Sequence, residues 1–379
     1  MPASDEAALH FPLGEALPAP GRTLEVAPGV RWLRMRLPFA LDHIHLWLLR
    51  DELDGVPGWT VVDCGIADED TRAAWRQILA QELRGLPVLR VLVTHMHPDH
   101  IGLAHWLTRR FSRLREPGDP PVQDLGPPAA VDDCRMWISG TDFNAARIAS
   151  RSTTGHGGEA AARFFAAHGL VDPQALAKVR ARGSYYASMV PQVPERYRRL
   201  MDGQRLSIGG QTWECLAGYG HAPEHIALHC AALGVLISGD MVLPRISTNV
   251  SVIDLEPEAD PLPLYLDSLQ RLLALPQDTL VLPSHGRPFV GLHTRIGQLR
   301  AHHEARLHEV MQACSGRPCS AAELLPVLFR RPLDLHQTTF AMGEAVAHLH
   351  MLLGQGRLQR RLGPDGVIRF VADGETAGA

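Results

Sequence analysis

Four ligand-type side chains fall within six residues in His95-Met96-His97-Pro98-Asp99-His100, directly after the strand-like run Val91-Leu92-Val93-Thr94. Imidazole nitrogens and a carboxylate suit a borderline divalent ion such as zinc. On an extended backbone His95 and His97 point to the same side. Pro98 then turns the chain and brings Asp99 and His100 round to a second position. One short loop can therefore serve two metal ions. The chain has 20 histidines, so a single histidine carries little information. A cluster this dense at a strand end carries much more.

Three later segments complete the pattern. Gly218-Tyr219-Gly220-His221-Ala222-Pro223-Glu224-His225 is a glycine-rich turn with two histidines. Val235-Leu236-Ile237-Ser238-Gly239-Asp240 is an apolar strand ending in a carboxylate, and Leu280-Val281-Leu282-Pro283-Ser284-His285-Gly286 ends in a histidine. Strand ends flanked by Gly and Pro are where an α/β scaffold carries functional loops.

On these residues the chain resembles the metallo-β-lactamase-fold hydrolases, in the glyoxalase II-like and lactamase-like endoribonuclease branch. The family pattern HxHxDH is matched by His95, His97, Asp99 and His100, and its later ligands by His221, Asp240 and His285. Asp63, in Thr60-Val61-Val62-Asp63-Cys64-Gly65, matches an early strand-end aspartate that supports the ligands. The resemblance implies two divalent ions, zinc first, with iron or manganese as alternatives for such a donor set. His95, His97 and His221 would hold one ion, Asp99, His100 and His285 the other, and Asp240 would bridge. A metal-bridging hydroxide would attack a carbonyl carbon or a phosphorus. Asp99 would orient it and pass its proton toward the leaving group. His225 is expected to support the ligands rather than join them. Two departures from the family turn are Ala222, which lacks a hydroxyl, and Glu224, which stands where glycine is frequent.

The implied fold is an α/β, αββα sandwich over residues 23–295, with a helical insert at about 141–201. Residues 1–22 read as a loose arm, 296–318 as a connecting helix, and 319–372 as a winged-helix-like domain. The last comprises two helices and a hairpin around Gly363-Pro364-Asp365-Gly366. The insert should cover the site and offer Tyr185, Tyr186 and Met189 to a substrate pocket, with Asn249 from the loop after Asp240. Arg180, Arg182, Arg196, Arg198 and Arg199 could hold an anionic group or simply form a solvated helix face. His302, His303 and His308 read as surface residues, and His348 and His350 as surface or packing residues.

The 379 residues are 45% hydrophobic and 21% charged, with a formal charge of −4, which gives no general pull toward nucleic acid. Six cysteines without a CxxC pair suit buried thiols in a reducing compartment. No basic leader is evident at the start, and no apolar stretch reaches membrane-spanning length. A cytoplasmic enzyme is expected, without membrane attachment and with homodimerisation open. The leading reading is hydrolysis of a small-molecule ester, thioester or lactone. The alternative is an endoribonuclease or phosphodiesterase that uses Arg357, Arg360, Arg361 and Arg369 of the C-terminal hairpin for RNA.

Overall fold

The computed structural model describes residues 6–113, 133–153, 157–183 and 185–372. Most of the Pro/Gly-rich connection expected at 112–130, and residues 154–156 of the break expected at 154–158, lie outside these residues. The first sheet has seven strands in chain order: β1 (Leu24–Ala27), β2 (Val30–Arg36), β3 (His43–Leu53), β4 (Val56–Val62), β5 (Val88–Leu92), β6 (Arg135–Ser139) and β7 (Tyr197–Leu200). Strands β1 to β4 form antiparallel neighbours, whereas β4 to β7 run parallel. The second sheet orders β8 (Arg205–Ile208), β9 (Gln211–Gly218), β10 (His225–Cys230), β11 (Val235–Gly239), β12 (Leu280–Pro283) and β13 (Phe289–Val290) side by side. Only the β11–β12 pair in it is parallel.

Strands buried on both faces read as continuous apolar runs rather than alternating ones, and the period of two then sorts their side chains. Trp47 and Leu49 of β3, Trp32 of β2 and Ile237 of β11 face inward and pack sheet on sheet with Trp137, Trp213 and Leu282. Their neighbours Leu33, Leu46 and Leu48 face the opposite way, under α1 (Glu69–Gln81), α3 (Ala104–Phe111) and α4 (Gly140–Ala149). Between α1 and α3 lies the single turn α2 (Pro98–Ile101). Leu236 and Val281, on the outer face of the second sheet, lie under α8 (Pro261–Leu272) and α9 (Leu292–Ser315). The expected αββα sandwich is therefore present.

The region between β6 and β7 holds α4, α5 (Gly158–Ala167), α6 (Pro173–Ala181) and α7 (Tyr185–Met189). The insert is helical as expected, but its last residues are the edge strand β7. Hence Arg198 and Arg199 lie on a strand and Arg180 on α6, and the five arginines form no single helix face. Arg198 lies over the Trp137 ring at 4.4 Å, and Arg180 pairs with Glu159 at 2.9 Å.

Beyond α9 come α10 (Ala321–Leu328), α11 (Leu335–Gly354), β14 (Leu358–Leu362) and β15 (Ile368–Ala372), in the expected order of helices then hairpin. Capping boxes start both helices, Ser320 with Glu323 and Asp334 with Gln337. These elements do not stand apart from the sandwich. Met342, Val346 and Leu349 of α11 share one core with Leu262, Tyr265 and Leu269 of α8. That packing corrects the reading of His303 as a surface residue: it is fully buried, 3.2 Å from His348 of α11. His348 and His350 are packing residues, His302 is half-buried, and His308 is exposed as expected. The arm is also not loose over its described part. His10 exchanges two backbone hydrogen bonds with Val290, at 3.1 and 2.8 Å, and so covers the edge strand β13.

Candidate metal centre

All seven sequence-selected ligand candidates sit at strand ends on one rim of the sandwich. His95, His97, Asp99 and His100 follow β5, His221 lies between β9 and β10, Asp240 follows β11 and His285 follows β12. Pro98 occupies the first turn of α2, where its missing N–H costs nothing, and its fixed φ starts the turn that carries Asp99 and His100.

The seven side chains converge as two groups. His95 Nε2 is 2.9 Å from His97 Nδ1 and 3.2 Å from His221 Nε2. Asp99 Oδ2 is 3.7 Å from His100 Nε2 and 3.4 Å from His285 Nε2. Asp240 lies between them, with Oδ2 3.4 Å from His221 Nε2 and Oδ1 3.5 Å and 3.6 Å from the Nε2 atoms of His100 and His285. Three trios could each surround a cation: His95, His97 and His221; His95, His100 and Asp240; Asp99, His100 and His285. The donor set also fits metal on independent grounds. His100 Nε2 and Asp240 Oδ1 are buried without a hydrogen-bond partner, an arrangement that is costly unless a ligand completes it.

Supporting contacts aim the donor atoms of His100, His221 and His285. Asp63 accepts hydrogen bonds from the Thr94 amide at 2.8 Å and the Thr94 hydroxyl at 2.9 Å, and lies 2.8 Å from His100 Nδ1. Its backbone has φ +61°, a conformation rarely tolerated outside glycine and typical of functional positions. His221 Nδ1 is 2.7 Å from the Asn249 carbonyl, and His285 Nδ1 is 2.8 Å from the His43 carbonyl. Each contact occupies one ring nitrogen and leaves Nε2 directed to the centre. His225 is fully buried beside His95, and its Nε2 accepts from the Asp240 amide at 3.2 Å.

Asp142, at the start of α4, is a supporting residue that sequence reasoning missed. Fully buried, it accepts from the Met96 amide at 2.8 Å and the Glu224 amide at 2.6 Å. It thereby ties the His95–His97 loop to the His221 turn. Burial pushes its carboxyl up to about 6. Glu224 contributes through its backbone, and its side chain accepts from Thr141 at 2.9 Å. The positive φ in that turn falls on Gly220 instead.

The electrostatics divide the ligands. Burial lowers His97 to about 3 and holds His95 well below the usual imidazole range, so both rings are neutral donors. Burial also opposes charge on His100 and His285, but the carboxylates prevail. Asp63, Asp99 and Asp240 raise His100, and Asp240 with Asp99 raises His285 to about 10. Conversely, Asp99 falls to about 2, because His100 and His285 outweigh its burial.

The expected pocket residues act differently from one another. Tyr186 donates to the Met96 carbonyl, and Tyr186 and Met189 pack against the core of the first sheet. Tyr185 instead faces His336 of α11. Asn249 bears on the centre through its carbonyl, while its side chain accepts from Ser251.

The comparisons with known proteins agree with this geometry. A family model for the metallo-beta-lactamase superfamily matches residues 45–112 and 143–285, which include all seven ligand candidates. A model for the metallo-beta-lactamase-like C-terminal domain matches residues 307–373. The probable metallo-hydrolase YqjP of Bacillus subtilis (strain 168) is 24% identical over 333 residues, covering 84% of this chain and 91% of that protein. The crystal structure of a beta-lactamase domain protein from Burkholderia ambifaria is 56% identical, with a TM-score of 0.88 over 98% of this chain and 100% of its own. The metallo-beta-lactamase family protein TTHA1429 from Thermus thermophilus is 28% identical, with a TM-score of 0.69 over 92% of this chain and 100% of its own. The chain belongs to the metallo-β-lactamase superfamily, as a metal-dependent hydrolase with the C-terminal domain found in that family.

Proposed function

We propose that this enzyme hydrolyses a small-molecule ester, thioester or lactone with two divalent ions, zinc first and iron or manganese as alternatives. The position of Asp240 between two trios of donors is the observation that carries a two-ion reading. His95, His97 and His221 would hold one ion, Asp99, His100 and His285 the other, with Asp240 shared. Such ions would acidify a water and polarise the scissile carbonyl. The chain's own residues then have distinct tasks. Asp99 is ionised near neutral pH, and its side chain is 20% exposed against 10% for Asp240, so it is the carboxylate open to the substrate side. It orients the attacking water and accepts its proton for transfer to the leaving group. Asp63, Asn249 and His43 keep the ligand rings fixed throughout.

The C-terminal hairpin offers little to RNA. Arg360 pairs with Glu258, and Arg369 meets both oxygens of Asp365 at 2.8 and 2.7 Å. With two of its four arginines matched by acids, and Arg357 and Arg361 bonded to Gln355 and Gln359, the hairpin is a weak phosphate footprint. All six cysteines are free and buried, which supports a reducing, cytoplasmic setting. Among the described residues, no helix is long and apolar enough to cross a membrane.

The test is metal analysis of the purified protein joined to a substrate panel of thioesters, lactones, phosphodiesters and single-stranded RNA. Turnover confined to carbonyl substrates, with about two ions per chain, is the expected result. Salt-sensitive RNA cleavage that is lost on removing residues 319–379 would reverse the assignment.

A further inference from the structure

We propose that α11 of the C-terminal domain forms one wall of the substrate site, where His336 and Phe340 receive a flat, apolar, non-reacting end of the acyl group. This rests on the ester, thioester or lactone reading above and adds the substrate class that the site selects.

Three segments flank the metal centre, and α11 touches each of them. The first is α7, which is anchored to the ligand loop where Tyr186 donates to the carbonyl of Met96. The adjacent Tyr185 places its hydroxyl 3.5 Å from His336 Nδ1, with the two rings 5.7 Å apart. The second is the connection from β2 to β3, which leads into His43 and so to His285. Phe39 in that connection stacks on His336, with centroids 6.0 Å apart and planes 12° from parallel. The third is the segment after Asp240. Asn249, whose carbonyl meets His221, accepts from the Ser251 hydroxyl at 2.7 Å, and that hydroxyl lies 3.4 Å from the Phe340 carbonyl. Val252 N–H donates to the Gly343 carbonyl at 3.1 Å. A Cβ at Gly343 would come within 2.8 Å of Ser251, so the helix seats here by an approach that a side chain would block. Arg182 adds a tie from α6 by donating to Thr339 Oγ1 at 3.3 Å.

The chemistry of this wall is aromatic and only partly covered. Tyr185, His336 and Phe340 are half-buried, and Phe39 keeps 38% exposure. The His336 and Phe340 rings lie 4.9 Å apart at 63°. Partly exposed rings at varied angles beside a reaction centre suit a planar apolar group, which they would hold by stacking and burial. Burial chiefly, helped by the Asp99 carboxylate against the opposing Arg182, raises the Tyr185 hydroxyl, as fits a ring close to the centre. In the primary sequence His336 is far from every ligand, so only the packing of α11 brings it here.

The test compares 4-nitrophenyl phenylacetate with 4-nitrophenyl acetate on the metal-loaded full chain, as wild type and as His336→Ala and Phe340→Ala. The leaving group is common to both esters, so their ratio isolates the acyl end. We expect the preference for the phenylacetyl ester to fall about tenfold, carried by KM rather than kcat. Phe39→Ala, an exposed change in the ring that stacks on His336, should lower the same preference and guards against loss of folding in the α11 variants. A loss shared equally by both esters, or an unchanged ratio in all three variants, would overturn the proposal. Calorimetric binding of phenylacetate and acetate gives a second readout that needs no turnover. If no ester is hydrolysed but phenylacetate binding weakens in His336→Ala, the reaction assignment fails and the wall stands. Equal binding by wild type and variant would overturn the wall itself.

Discussion

The carboxylate of Asp63 meets Nδ1 of His100 at 2.8 Å, from a backbone held at φ +61°. The same carboxylate accepts both the amide and the hydroxyl of Thr94, so its position is fixed from three directions. Asp63→Asn keeps the shape but weakens the charge that orients His100. Metal affinity should fall about 10- to 100-fold, a loss typical of removing a partner that orients a ligand. Competition titration against a chromophoric chelator measures it, and unchanged affinity would remove Asp63 from this role.

Substitution within the ligand set should be more severe. His97→Ala removes one corner of the first trio, and Asp240→Ala removes the carboxylate that lies between the two groups. Each variant should lose hydrolysis altogether and bind less metal per chain. Full activity with undiminished metal in either one contradicts the assignment.

Metal uptake should release protons. At pH 7 His285 holds a proton, since its pKa lies near 10, and His100 is also raised by its carboxylates. Both must give up that proton to coordinate, whereas His95 and His97 are already neutral and Asp99 already ionised. About two protons per chain should therefore leave the histidines on loading, with up to about one more from an ionising bound water, and affinity should climb as pH rises. Calorimetry in buffers of differing ionisation enthalpy counts them. A pH-independent affinity between pH 6 and 8 is the contrary outcome.

The buried pair His303–His348 makes the fold acid-sensitive. Burial lowers His303 to about 2 and His348 to about 4. Unfolded histidine takes up a proton near pH 6.5, so below that pH the unfolded chain binds more protons than the folded one. Stability then declines as pH falls from about 6.5 toward 4, by about 1.4 kcal/mol per pH unit for each histidine. His348→Leu should reduce that slope in urea denaturation at pH 7 and 5, and an identical slope would exclude the pair as its source.

Asp142 should act on stability and on both loops at once. Losing its two accepted backbone bonds in Asp142→Ala leaves the partly buried Met96 and Glu224 amides without their partner, which costs at most about 1–3 kcal/mol for each. Hydrogen exchange should quicken at both amides together, and acceleration at only one would refute the tie.

The ligands were legible because each lies at the end of an apolar run, where local sequence alone marks a strand and its loop. Asp142, His43 and the Asn249 carbonyl were not, because they act across tertiary contacts that leave no spacing in the chain. Asp142 also falls between the two segments matched by the family model. Strand β6 carries only the short apolar run Met136-Trp137-Ile138 after a Pro/Gly-rich stretch, and β7 is a short edge strand rich in arginine, so neither stands out as a strand. His303 was misread for a related reason. The polar face of α9 becomes interior only once α11 packs on it, a pairing that helical periodicity cannot anticipate.

The donor set draws on both sheets: the first supplies His95, His97, Asp99 and His100, and the second His221, Asp240 and His285. A cation held between them would rivet the halves of the sandwich, and any ligand that binds only the native state raises its stability by mass action. Scarcity of metal would then shorten the lifetime of the protein as well as silence it, since chelated chains would open more often to proteases.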